Sequence, residues 1–176
     1  WLLRGPGRPK PTGGKAPDAA DADASAADPI ELLSLATQAL TGSVSAAREQ
    51  AKQTVSMSRM RGVGQALFIY AQEKKAFPPD LAELVRRNMI TIDMLASPYD
   101  DNAPRSLAEI GEKCGYIYRA GLTPKSDPRE IVLAERSVRN GGAAFLFVDG
   151  HVEFIAEPRA SELIGLIQAG VESVRP

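Results

Sequence analysis

The chain has 176 residues, 44 % hydrophobic and 24 % charged, which is the make-up of a globular domain long enough to bury a real core. Its 21 basic and 22 acidic side chains leave a formal net charge of −1, so bulk electrostatics offers no route to nucleic acid or to an anionic membrane surface. One cysteine, Cys114, and one histidine, His151, exclude an internal disulfide, a thiolate zinc site, a paired-histidine protease helix and a three-histidine metal centre.

Residues 1–28 hold four of the 13 prolines, together with Gly5, Gly7, Gly13 and Gly14. Arg4, Arg8, Lys10 and Lys15 come first, and Asp18, Asp21, Asp23 and Asp28 follow, so the two charge blocks cancel. So little can be buried here that a disordered linker is expected, followed by a globular domain over 29–176. No run approaches the ~18 apolar residues of a membrane helix, so the membrane would be reached only through an anchor preceding Trp1.

Asp28-Pro29-Ile30-Glu31 is a helix-start signal, with Asp28 as cap and Pro29 in the first turn. A break is expected at Thr41-Gly42-Ser43. From Val44 to about Lys75, the residues Val44, Ala47, Ala51, Val55, Met60, Val63, Leu67 and Tyr70 recur at helical spacing and predict one core-facing stripe. Gly62 and Gly64 each cost up to about 1 kcal/mol inside a helix, which implies a closely packed neighbour. Pro78-Pro79 ends this helix, and Asp80 to Arg87 reads as a short one with Leu81, Leu84 and Val85 inward.

Beyond the polar stretch Tyr99 to Arg105 the period changes to two. Gly115 to Arg119 and Glu130 to Ala134 read as strands, and Pro158 to about Val174 returns to helix. Between them, Ala144 to Ile155 is a hairpin whose Asp149-Gly150 favours a two-residue type I′ turn. That turn would pair Phe147 with Val152 and Phe145 with Phe154, so Phe145, Phe147, Val152 and Phe154 would share one face, roofed by the 44–75 helix. His151 and Glu153 would point the other way. Asp149 and His151, with Ser161, are the available acid–base set, but adjacency at a turn does not aim a carboxylate at an imidazole, and no catalytic residue is expected.

The residues Ser58-Arg59-Met60-Arg61-Gly62-Val63-Gly64-Gln65-Ala66-Leu67-Phe68-Ile69-Tyr70-Ala71, then Phe77-Pro78-Pro79-Asp80-Leu81, then Phe147-Val148-Asp149-Gly150-His151-Val152-Glu153-Phe154, resemble bacterial type IV pilin-like proteins and type II secretion pseudopilins. The nearest likeness is to the prepilin-type group whose C-terminal signature is a histidine, nine residues and Asp-Gly. Arg139 stands where that histidine would be. Ser56 or Ser58 and Ser97-Pro98 stand where cysteines are usual, and Ile30-Glu31-Leu32-Leu33 only echoes the apolar processing-site helix.

The resemblance implies an α+β fold: a long N-terminal helix on a small antiparallel sheet with a short C-terminal helix. It also implies a structural subunit of the bacterial cell envelope, on the extracytoplasmic face of the inner membrane, whose partners are other pilin-like subunits or secretion-machinery proteins. The hairpin Phe145, Phe147, Asp149, Gly150, His151, Val152 and Phe154 would then be architecture. The alternative is a detached pilin-like domain, joined through residues 1–28 to another module and binding envelope proteins or polysaccharide. No cofactor is expected. Some pseudopilins carry a calcium loop, and Asp100, Asp101 and Asn102 are the candidates here, although calcium takes about six to eight oxygens and no EF-hand spacing occurs.

Overall fold

The computed structural model of the chain describes residues 29–100 and 103–176. The expected linker 1–28 and the capping role of Asp28 lie outside those residues. The chain divides between Leu40 and Thr41 into two units, and the core lies within the second, Thr41–Pro176.

Helix α1 is Pro29–Lys74. The break expected at Thr41-Gly42-Ser43 does not occur. One helical glycine costs only about 1 kcal/mol, and the Ser45 hydroxyl donates to the Gly42 carbonyl at 2.9 Å, engaging it within the helix. The expected stripe is only half buried. Met60, Val63, Leu67 and Tyr70 are in the core, whereas Val44, Ala47, Ala51 and Val55 are exposed. Length explains this: the longest strand, of six residues, extends about 20 Å, while Ser56–Ala71 alone is about 24 Å of helix at ~1.5 Å per residue. Among the described residues no sheet remains to cover the turns before Ser56.

The two interior glycines mark close approaches, as their cost implied. A Cβ on Gly64 would lie 3.0 Å from Leu146 Cδ1 of the sheet, and one on Gly62 would lie 2.5 Å from Met94 Cε. Lys75, at φ +62, ends the helix. Phe77 then turns edge-on to Phe68, with ring centroids 5.6 Å apart, and the Pro78 carbonyl accepts the Tyr118 hydroxyl at 2.7 Å. The Phe-Pro-Pro connection thus ties the end of α1 to the sheet.

Helix α2 (Leu81–Arg86) is capped by the Asp80 carboxylate, which accepts the Glu83 N–H at 2.7 Å, and it buries Leu81 and Leu84. Two 3-10 turns, Ile92–Leu95 and Leu107–Glu109, and the single-turn α3 (Ile110–Lys113) lead to the sheet. Strands β1 (Tyr116–Tyr118), β2 (Ile131–Glu135), β3 (Gly142–Phe147) and β4 (Val152–Ala156) are antiparallel throughout and lie in chain order. Helix α4 (Arg159–Gln168) follows. The fold is α+β.

The sheet is apolar on both faces. Leu133, Ala144, Leu146 and Val148 join Met60, Val63 and Leu67 of α1 in one cluster. Ile131, Phe145 and Phe147 join Leu163, Ile164 and Ile167 of α4 in another. Every residue of β2 and β3 is accordingly buried, the pattern of strands covered on both sides.

The last helix is shorter than its expected end at Val174. Gly170, at φ +72, takes the left-handed conformation that stops a helix, and the Val171 N–H folds back to the Leu166 carbonyl at 3.1 Å. Val171 is therefore exposed, and the segment it opens crosses back to β2, where the Ile131 N–H donates to the Val174 carbonyl at 3.1 Å.

Candidate functional site

The hairpin closes one residue differently from the Asp-Gly expectation. The Gly150 N–H donates to the Phe147 carbonyl at 2.9 Å and the Phe147 N–H to the His151 carbonyl at 3.0 Å, leaving the three-residue loop Val148-Asp149-Gly150. Gly150 has φ +91, the conformation required of the third residue in such a loop. A Cβ there would come 2.9 Å from the Phe68 ring, so glycine also makes room for α1. Val148 is drawn into the turn because its side chain is buried in the α1-side cluster.

The pairing that follows is Leu146 with Val152, Phe145 with Glu153 and Ala144 with Phe154. Because side chains alternate faces, this one-residue slip overturns the expected common face. Phe145 and Phe147 are fully buried beneath α4 rather than α1, while Val152 packs with the α1-side cluster and Phe154, opposite Ala144, shares that parity. The residues roofed by α1 are Leu146, Ala144 and Val148.

His151 also lies elsewhere than expected. Its ring is stacked on Phe147, with centroids 4.1 Å apart and planes 3° from parallel, so it shares the aromatic face instead of pointing away. The three-residue loop also aims Asp149 at it: Asp149 Oδ1 accepts the His151 N–H at 3.0 Å and meets the ring Nδ1. Burial alone would raise the Asp149 carboxyl; the backbone and ring contacts of His151 outweigh it and hold that carboxyl below the usual aspartate range. Adjacency at this turn therefore does orient the carboxylate to the imidazole. The pair is half exposed, and Glu153 Oε2 lies 3.9 Å from His151 Nε2. Ser161 donates its hydroxyl to Glu157 at 2.6 Å. Among the described residues no serine, threonine or cysteine bonds to His151. The arrangement is a carboxylate–imidazole pair that fixes a turn and caps an aromatic ring.

The buried polar groups lie elsewhere. Glu135, 6 % exposed, ends β2 on the α1 side, where it accepts the Ser56 hydroxyl and, at 2.8 Å, the Ala144 N–H. Burial pushes its carboxyl above the ordinary glutamate value. Beside it the hydroxyl of Tyr116 is buried with no hydrogen-bond partner among the described residues, and burial pushes that phenol up to about 12. At the other end of β2, Glu130 pairs with Arg119 at 2.8 Å, accepts the Val174 N–H at 3.1 Å and takes the Ser173 hydroxyl, which pins the C-terminal segment. Burial raises Glu130, but these three donors more than offset it and hold the carboxyl below its ordinary value.

Neither glutamate was singled out in the sequence, although a signal exists: Glu135 has the same parity as the core residue Leu133. Of the two serines at the position of a family cysteine, Ser56 is the buried one and Ser58 is exposed. Arg139, at the place of the signature histidine, brackets the turn before β3 through mutual backbone bonds with Gly142 at 2.7 and 3.1 Å. Asp101 and Asn102 lie outside the described residues; Asp100 is exposed, its N–H 3.4 Å from the Ser97 carbonyl. Among the described residues no group of three or more His, Cys, Asp or Glu is placed to hold a metal, and no helix is long and apolar enough to cross a membrane.

No protein-family model, no curated protein and no solved structure matches this chain.

Proposed function

We propose that the chain is a non-catalytic structural subunit domain of the pilin-like or pseudopilin-like kind, working by assembly in a bacterial secretion or pilus machinery of the cell envelope. The observation that carries the reading is α1. Its stretch Ser56–Ala71 packs on the sheet, while ahead of it Val44 and Val55, eleven residues and so three turns apart on one face, are exposed by 50 % and 43 %. Apolar side chains on one helix face that no described residue covers mark a surface that is buried against something else. In pilin-like subunits that cover is the helix of a neighbour.

The order of parts supports the same reading: a long helix, a Phe-Pro-Pro connection, and an antiparallel sheet whose last two strands form the Asp-Gly-His hairpin. The hairpin contributes rigidity, not chemistry, since Asp149 and His151 bind each other and Phe147.

Sedimentation equilibrium over a concentration series tests the reading. Reversible self-association is expected, and Val44→Glu together with Val55→Glu should abolish it without lowering the melting temperature at concentrations where the parent is monomeric, because neither residue contributes to the core. A chain that stays monomeric throughout, and is unaffected by the two substitutions, would instead fit a detached binding module.

A further inference from the structure

Among the described residues β1 is an edge strand of the sheet, paired only with β2. Its ladder bonds link Gly115 with Arg136 (Arg136 N–H to Gly115 O, 3.0 Å) and Arg119 with Val132 (Arg119 N–H to Val132 O, 2.9 Å). In an antiparallel pair the bonded residues alternate, so Ile117 bonds to β2 while Tyr116 and Tyr118 turn their amides and carbonyls outward. Among the described residues the Tyr116 carbonyl, the Tyr118 N–H and the Tyr118 carbonyl have no partner.

These groups open into a cavity of about 520 Å³ between α2 and the Leu107–Lys113 segment. Tyr116, Ile117 and Tyr118 all line it. Consecutive strand residues point to opposite faces, so a cavity touching all three lies along the strand's edge, where a further strand would pair. Leu81 and Ala82 form one wall and Leu107 and Ile110 the other, with Leu107 42 % exposed at the lip. Walls on both sides admit a single extended segment and exclude the edge of a second folded sheet.

The groove is also polarised. At the Tyr118 end, Asp80 is paired with Arg86 at 3.3 Å. At the Gly115 end, Arg136 gives Nε to the Cys114 carbonyl at 2.9 Å and one Nη to the Gly111 carbonyl at 3.3 Å, which positions the guanidinium rigidly, yet it meets no carboxylate among the described residues. A rigid guanidinium with a donor to spare is a carboxylate site.

We propose that the outer edge of β1 is a strand-addition site for an extended segment of a partner protein, running antiparallel to β1 and seating a carboxylate at its C-terminal end on Arg136. Main-chain bonds to Tyr116 and Tyr118 supply affinity, and the apolar walls take alternate side chains. The site is independent of assembly through α1.

The probe is an N-acetylated hexapeptide of alternating threonine and valine ending in aspartate with a free carboxylate, titrated into the full chain and followed by amide NMR. Saturable shifts centred on Tyr116 and Tyr118 are expected, with at least about tenfold slower exchange of the Tyr118 amide. Arg136→Gln should weaken binding about tenfold, the loss of one charge-assisted bond, and should have no effect on a peptide whose terminal carboxylates are amides. N-methylation of alternate peptide nitrogens, which leaves this chain untouched, should abolish binding. Absence of shifts at millimolar peptide, equal binding of the methylated peptide, shifts centred elsewhere, or the same shifts arising from protein concentration alone through pairing of two copies would each overturn the proposal.

Discussion

Glu130 and Glu135 flank β2, are equally buried at 6 % exposure, and are pushed in opposite directions by what surrounds them. Glu130 ionises more readily in the folded chain than its ordinary value of 4.5, so the stability it contributes is present above that value and is lost as the pH falls through the depressed one. Glu135 ionises less readily when folded. Its contribution is complete below 4.5 and is lost as the pH rises through the raised value. Thermal melts across this range should therefore show the parent gaining on Glu130→Gln with rising pH and losing ground to Glu135→Gln. Parallel curves for the two variants would contradict both environments. Tyr116 gives a sharper test of the same pocket. Its buried hydroxyl has no hydrogen-bond partner among the described residues, so Tyr116→Phe should be neutral or stabilising by up to about 1 kcal/mol; a loss of that size would mean the hydroxyl has a partner.

Among the elements, the hairpin decides how the sheet is covered. A strand, a tight turn and a returning strand were legible in Phe147-Val148-Asp149-Gly150-His151-Val152, and so were β1, β2 and the short helix α2 after Pro78-Pro79. The loop length was not, because Asp-Gly suits both a two-residue turn and the end of a three-residue loop. Hydrophobicity could not arbitrate, since Ala144, Phe145, Leu146, Phe147 and Val148 are all apolar and the strand is buried on both faces. What selected the longer loop is tertiary: Val148 against α1, and Phe68 filling the space where a Gly150 side chain would stand. Gly150→Ala should accordingly destabilise the chain by about 1–3 kcal/mol in denaturant titration, since it forces a left-handed alanine against Phe68. Gly62→Ala meets only the flexible end of Met94, and its gain in helix propensity of up to about 1 kcal/mol should leave it near neutral. Equal costs at the two sites would remove the close approach as the reason for glycine at the turn.

For the molecule as a whole, the sequence carried the α+β plan but assigned too much of α1 and the wrong aromatics to one shared core. Two clusters separated by the sheet replace it: Leu146 with Met60 and Leu67, and Phe147 with Leu163 and Ile167. In double-mutant cycles Phe147→Ala should couple to Leu163→Ala by about 0.5–3 kcal/mol and add simply, within about 0.5 kcal/mol, with Leu67→Ala. Coupling across the sheet instead would favour the single core. The sheet covers Ser56–Ala71 and leaves Val44 and Val55 exposed among the described residues, and the proposed role in assembly depends on a partner burying them. Amide hydrogen exchange across residues 41–55, measured at low and high protein concentration, tests it most directly. The account predicts that protection in this stretch rises with concentration while β2 and β3 stay unchanged; identical exchange at both concentrations would contradict it.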